Sequence, residues 1–178
     1  GINAHCVAEL ASHFKNPREA RFRELANAYK KHWDGQYLVG VKRDGGFCKP
    51  RDALTVDADP KLYTEGNALT WFFSVPHDME GLQKLTGPVF CVGLHQLFTA
   101  DVGKVSKRDY SGLIGAYAHG NEPTHHVPFL DLCPGKSHVQ EILNLYTATP
   151  TGWPGNDDAG AMSAWYILAT LGKFPRSS

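Results

Sequence analysis

Asn16-Pro17-Arg18-Glu19-Ala20-Arg21-Phe22-Arg23-Glu24-Leu25-Ala26-Asn27-Ala28-Tyr29-Lys30-Lys31-His32-Trp33 is the stretch on which the fold turns. Asn16 is an N-cap residue type, Pro17 suits a first helical position, and Glu19 stands three residues on. Phe22, Leu25, Ala26, Tyr29 and Trp33 share one face, so residues 17–33 read as an amphipathic helix. Upstream, Val7, Leu10, Ala11 and Phe14 repeat the spacing, which makes the first 33 residues a helical hairpin. Downstream, helical character resumes over 66–74, 78–85 and 89–98, and a further helix is expected after Pro123. Ser137-His138-Val139-Gln140 reads as a capping box opening the stripe Val139, Ile142, Leu143 and Tyr146. The last helix, 159–171, is apolar nearly all round and should be deeply buried. The pattern is all-α, roughly eight helices in antiparallel pairs.

Between the hairpin and the next helix the periodicity stops. Gly35, Asp44-Gly45-Gly46, Pro50 and Pro60 punctuate residues 34–63, and only 37–42 suits a short strand. About 30 residues without periodicity inside a compact domain mark a functional loop. Residues 101–110 form a second, polar connection. Long loops gathered at one end of paired helices make a face for a site. There is no internal repeat and no low-complexity segment.

A chain of 178 residues is expected to form a single domain around one core. Lys plus Arg and Asp plus Glu both number 18, so no nucleic-acid or anionic-membrane partner is indicated. The longest apolar run, Pro88–Leu94, is far too short to span a bilayer. The first residues, Gly1-Ile2-Asn3-Ala4-His5, lack the basic and apolar regions of a signal peptide. Cys6, Cys48, Cys91 and Cys133 lie far apart with no CxxC, which excludes a zinc ribbon and leaves both disulfides and free thiols open.

Polar residues concentrate at three loop-to-helix junctions: Tyr63-Thr64-Glu65-Gly66-Asn67 running on to Val75-Pro76-His77-Asp78, then 118–126, then Gly155-Asn156-Asp157-Asp158. Glycine beside an acid lets a ligand approach the backbone closely. Asp157 and Asp158 stand at the start of the last helix, where the macrodipole favours the ionised carboxylate expected of a base; simple capping is the rival reading. Glu65 precedes the aromatic run Trp71-Phe72-Phe73, and a carboxyl packed on apolar walls holds its proton to higher pH, as a general acid must. His119, His125 and His126 raise a metalloenzyme reading, yet their spacing is not HExxH. Asn121 and Glu122 are oxygen donors better matched to Ca²⁺. His126 reads equally well as a buried structural histidine, and His77 and Asp78 as either sugar contacts or a helix cap.

Taken together, Glu65-Gly66-Asn67-Ala68, Val75-Pro76-His77-Asp78, Ser111-Gly112-Leu113-Ile114-Gly115, Tyr117-Ala118-His119-Gly120-Asn121-Glu122-Pro123-Thr124-His125-His126, and Gly155-Asn156-Asp157-Asp158 with Met162-Ser163-Ala164-Trp165-Tyr166 resemble glycoside hydrolase family 92, the calcium-dependent exo-acting α-mannosidases. The resemblance covers residues from about Tyr29 to Pro175. It implies part of an (α/α)6 toroid, here without the family's β-sandwich domain, and inverting release of terminal mannose from mannose-containing glycans. It implies Glu65 as general acid and Asp158 as general base, with Asn156 and Asp157 beside them; Asn156 stands where relatives often carry another acid. His77, Asp78, His119 and Trp153 become expected substrate contacts, and Asn121 and Glu122 expected ligands of Ca²⁺. It also implies a secreted, periplasmic or extracellular setting. An inverting pair is expected to stand about 6.5–9.5 Å apart.

The pattern is departed from at Leu69 and Thr70, where the family usually has Trp and Gln to shape the sugar site, and at Ala161, where many members have Gln. A partial toroid would expose apolar helix faces, so a further segment or an oligomer partner is expected to cover them. Two other readings stay open at this level: a catalytically impaired carbohydrate-binding relative, and a histidine-based metal-dependent hydrolase.

Overall fold

The computed structural model describes residues 1–50, 53–54, 62–102 and 110–174. Pro60 and Pro175, most of the second half of the 34–63 loop, and 103–109 of the polar connection lie outside them. Seven α-helices occur among the described residues: α1 (Ile2–His13), α2 (Glu19–Ala26), α3 (Ala68–Phe72), α4 (Met79–Thr86), α5 (Pro88–Thr99), α6 (Val139–Leu143) and α7 (Ala161–Thr170). Neighbours in sequence pack on one another, α1 with α2, α4 with α5 and α6 with α7, and α3 also rests on α5. Two antiparallel hairpins interrupt them, β1 (Gly40–Val41) with β2 (Phe47–Cys48), and β3 (Leu113–Ile114) with β4 (Tyr117–Ala118). The architecture is all-α.

The hairpin α1–α2 forms as read, with two corrections. The predicted helix 17–33 is really α2 followed by a 3₁₀ turn, Asn27–His32. At the junction the Asn27 side chain also bonds back to the helix, its Nδ2 donating to the Arg23 carbonyl at 2.9 Å beside the Asn27 backbone N–H. Asn16 does serve the start, its Oδ1 accepting from the Arg18 amide at 3.0 Å. In α1 the buried residues are Ala8 and Ala11, while Leu10 and Phe14 are 59% and 73% exposed. The small residues let α2 approach closely, so the large apolar stripe turns outward.

The core is built around Phe72, Phe73, Phe90, Leu97, Leu82, Ile142 and Trp165. Phe73 packs edge-on against Phe72 and Phe90, with ring centroids 4.8 and 5.4 Å apart. α7 contributes Met162, Trp165 and Ala169, but Ile167 and Leu171 on its other face are 57% and 61% exposed. The expectation of burial all round is therefore corrected: the helix is covered on one side only. In place of the helix expected after Pro123 the chain makes the 3₁₀ turns Glu122–Thr124 and Val127–Phe129. The capping box is replaced by a single bond from the Val139 amide to Ser137 Oγ, and Gln140 reaches Asn144 instead. Cys91 of α5 is bonded to Cys133; Cys6 and Cys48 are free.

Candidate active site

Three loops meet at one end of the helices. The first leads into α3. Asn67 caps that helix through Oδ1, which accepts from the Thr70 amide at 2.9 Å, and its Nδ2 donates to the Leu54 carbonyl and the Tyr110 hydroxyl. Two residues earlier, Glu65 has φ of 53°, a left-handed backbone rarely adopted outside glycine. Its carboxylate-bearing side is exposed. Of the aromatic wall expected beside it only Trp71 stands at this turn, its indole N–H on the Thr64 carbonyl, while Phe72 and Phe73 turn into the core.

The second loop follows β4. The Gly120 amide continues the hairpin ladder to the Ser111 carbonyl at 3.0 Å. Asn121 then sends Nδ2 to the Glu65 carbonyl at 2.9 Å, tying the first loop to the second. The third loop crosses the second at a pair of glycines. A Cβ built on Gly155 would lie 2.5 Å from the Cα of Gly120, and Ser111 Oγ is wedged beside both.

The third loop then coils left-handed through Asp158 (φ 44°), Ala159 (57°) and Gly160 (91°) before α7 begins. The two acids of this turn part company. Asp157 is the cap: its Oδ1 accepts from the Ser163 amide and its Oδ2 from the Ser163 hydroxyl, both at 2.8 Å. Those two bonds hold its pKa below the ordinary carboxylate value. Asp157 is thus bound to the start of the helix. Asp158 stays exposed and shares a hydrogen bond with the Glu122 carboxyl, and its pKa rises for that reason, helped by burial and by the Glu122 charge. The expected lowering is found at Asp157, where hydrogen bonds from Ser163 cause it, and not at Asp158, where the neighbouring Glu122 carboxyl acts the other way. Asn156 is exposed on the same turn.

Trp153 stands beside them, 44% exposed, its indole N–H on Ser163 Oγ at 3.3 Å and its ring against Tyr146. A half-exposed indole beside exposed acidic residues is the kind of surface on which a sugar ring stacks. Ser163 and Tyr146 are supports that the sequence reading missed; a serine at the third position of a helix that follows an Asp was the available signal.

The histidines do other work. The Tyr146 hydroxyl donates to the Met162 carbonyl, so it accepts from His119 Nε2 at 2.6 Å, leaving Nδ1 to accept from the Tyr117 hydroxyl at 2.8 Å. His119 is fully buried, and burial, with His125 adding to it, pushes its pKa down to about 3. It is a neutral strut below the loop, not a sugar contact. His125 Nε2 bonds the His119 carbonyl and His126 Nε2 the Phe73 carbonyl, each at 2.9 Å. Rings committed in this way do not support the histidine-metal reading. His77 Nε2 meets the Ala26 carbonyl at 3.1 Å. Asp78 caps α4 through the Gly81 amide at 3.0 Å and accepts from the Tyr29 hydroxyl at 2.7 Å. Both line a cavity of about 850 Å³ that Glu65 and Asp158 do not line. His77 and Asp78 are thus held by structural bonds on the wall of a cavity apart from Glu65 and Asp158.

The profile of the glycosyl hydrolase family 92 catalytic domain matches residues 1–178. The chain belongs to glycosyl hydrolase family 92. An uncharacterized secreted glycosidase of Arthroderma benhamiae is 33% identical over 153 residues, 83% of this chain and 18% of its own length. The structure of a family 92 α-mannosidase from Bacteroides thetaiotaomicron superposes with a TM-score of 0.83 at 31% identity, covering 98% of this chain and 25% of that one. Its complex with mannoimidazole gives 0.78 at 27% identity, covering 93% and 24%. A family 92 inverting mannosidase from the same organism shares the fold, with a TM-score of 0.71 at 24% identity over 93% and 25%. The chain therefore spans a quarter or less of each of these relatives. The helix pairs are a portion of the family 92 all-α toroid.

Seen as a family 92 chain, the two departures after Ala68 fall inside the protein. Leu69 is 1% exposed in the core, and Thr70, at 3%, donates its hydroxyl to Asn67 Oδ1. In this chain both side chains face inward.

Proposed function

We propose that this chain carries the catalytic residues of an α-mannosidase that releases terminal α-linked mannose from glycans by single-step inversion. One observation carries the reading: among the described non-glycine residues only four have positive φ, and two of them are Glu65 and Asp158. Backbone strain of about 1–3 kcal/mol per residue persists where surrounding structure enforces it, and it gathers at sites of chemistry. Here the surroundings are the three crossed loops.

In this reading Glu65 donates its proton to the glycosidic oxygen as the bond to the leaving group breaks. Asp158 takes a proton from the water that attacks the opposite face of the sugar. Trp153 offers the stacking surface. Asn121 and Glu122 would hold Ca²⁺: the Asn121 amide nitrogen is committed to Glu65, which leaves its carbonyl oxygen, and Glu122 presents an exposed carboxylate. Both are hard oxygen donors of the kind Ca²⁺ selects. Bound there, the ion would supply a Lewis-acidic hold on sugar hydroxyls. The one disulfide and the secreted relative support an extracellular setting. No described helix is long and apolar enough to cross a membrane.

The deciding experiment is Glu65→Gln assayed on mannosides with poor and good leaving groups. Turnover on the poor leaving group is expected to fall by about 10²–10⁴-fold. Unchanged hydrolysis would remove Glu65 from the reaction, and binding of mannose without turnover in the unaltered protein would favour a lectin-like relative. Chelation should abolish activity, with recovery on added Ca²⁺; recovery on Zn²⁺ alone would contradict the oxygen-donor assignment.

A further inference from the structure

We propose that Trp71 and Asn121 are positioning residues for Glu65, each gripping one of two consecutive main-chain carbonyls; this rests on Glu65 being the acid. The Trp71 indole N–H donates to the Thr64 carbonyl at 3.1 Å, and Asn121 Nδ2 donates to the Glu65 carbonyl at 2.9 Å. Peptide planes on both sides of the Glu65 Cα are thereby held by side chains from elsewhere in the fold. A left-handed residue without the freedom of glycine relaxes to the right-handed region unless its flanking planes are restrained.

The two grips do different things. Trp71 lies on α3 and packs against Val39, Tyr63 and Ala68, so its donor is anchored in a small apolar cluster. Gly66 makes room for it: a Cβ there would stand 3.1 Å from the indole nitrogen and from Thr70 Cγ2. Trp71 thus sets the twist of the turn. Asn121 is 9% exposed and directly precedes Glu122, whose carboxyl bonds Asp158. Its bond to residue 65 therefore ties the acid's backbone to the loop that touches the base, and sets their separation. An inverting mechanism depends on that separation, because the attacking water must fit between the two carboxyl groups.

The test is Trp71→Phe, which keeps an aromatic ring in the cluster and deletes one N–H. Hydrolysis of a mannoside with an alkyl or sugar leaving group should fall about 10- to 100-fold through kcat, the cost of a misplaced reacting group, with KM unchanged. A dinitrophenyl mannoside, whose leaving group departs without protonation, should keep its rate within about 2-fold. Hydrogen exchange of amides 62–67 should quicken at an unchanged thermal midpoint. Equal loss on both substrates, or no loss with unchanged exchange, would overturn the proposal. Glu65→Gln run alongside separates the two layers of the argument. If it shows the leaving-group dependence and Trp71→Phe does not, only the positioning role fails. If Glu65→Gln shows none, the acid assignment falls and the positioning role falls with it.

Discussion

Asp157 and Asp158 are adjacent carboxylates with opposite fates, and variants should separate them. Asp157→Asn removes the charged partner of the Ser163 amide and hydroxyl. Because the folded pKa of Asp157 is depressed, its contribution to stability is present above the ordinary carboxylate pKa and is lost as pH falls through the folded value. The variant should therefore melt earlier than the parent near pH 7 and converge with it in acid, as thermal melts across pH will show. Asp158→Asn should leave the midpoint alone and cut turnover about 10²–10⁴-fold on good and poor leaving groups alike. His126 gives a pH dependence over a higher range. Burial lowers its folded pKa to about 4, so the unfolded chain takes up the proton first as pH drops below about 6.5. Stability is complete above that value and is lost by up to about 1.4 kcal/mol per pH unit down toward 4. His126→Gln should flatten the slope of stability between pH 6.5 and 4.5, measured by denaturant titration. At this scale the sequence displayed which residue types cluster, since motif spacing is local. It concealed which acid bonds the helix start and which meets Glu122, because that depends on a left-handed turn at Asp158 and Ala159 that no residue type there announces.

Elements were legible where packing obeyed the apolar stripe. α4 and α5 fall where periodicity places them because Leu82, Phe90 and Leu97 all face the core. α1 departed from its stripe because two alanines, not the large side chains, meet α2. The short pieces after Pro123 were illegible as 3₁₀ turns, since side-chain bonds of His125 and His126 to distant carbonyls decide them. Two element-level tests follow from α5. Its Cys91 is joined to Cys133 across a sequence separation of 42. Loop-closure entropy makes such a link worth about 4 kcal/mol, so Cys133→Ser should lower the unfolding free energy by roughly that amount in denaturant titrations. Gly115, at φ 61° in the β3–β4 turn, lies directly on the backbone of Phe98, with no room for a side chain. Gly115→Ala should destabilise by more than about 1 kcal/mol, as it meets both a disfavoured left-handed angle and a main-chain clash.

At the scale of the molecule, apolar surface remains open on several helices. Leu10 and Phe14 on α1, Val92 on α5, and Ile167 and Leu171 on α7 are all more than half exposed. Side chains of this kind are expected to be covered by further protein, in keeping with relatives of which this chain spans a quarter or less. In isolation the chain should self-associate with rising concentration in sedimentation velocity, and the pair Leu10→Glu with Phe14→Glu should weaken that association without shifting the thermal midpoint. The crossing of Gly120 and Gly155 has a different consequence, for anyone who would rebuild this site. Neither glycine carries chemistry, yet a side chain on Gly155 would need the volume of Gly120, and one on Gly120 the volume of Ser111 Oγ. The acidic turn is therefore not a portable cassette. Grafted onto another helical scaffold without Ser111 and Gly120, it would lose the surface it was moulded against, so the smallest transplantable unit is two interlocked strands of main chain, with the carboxylates as their cargo.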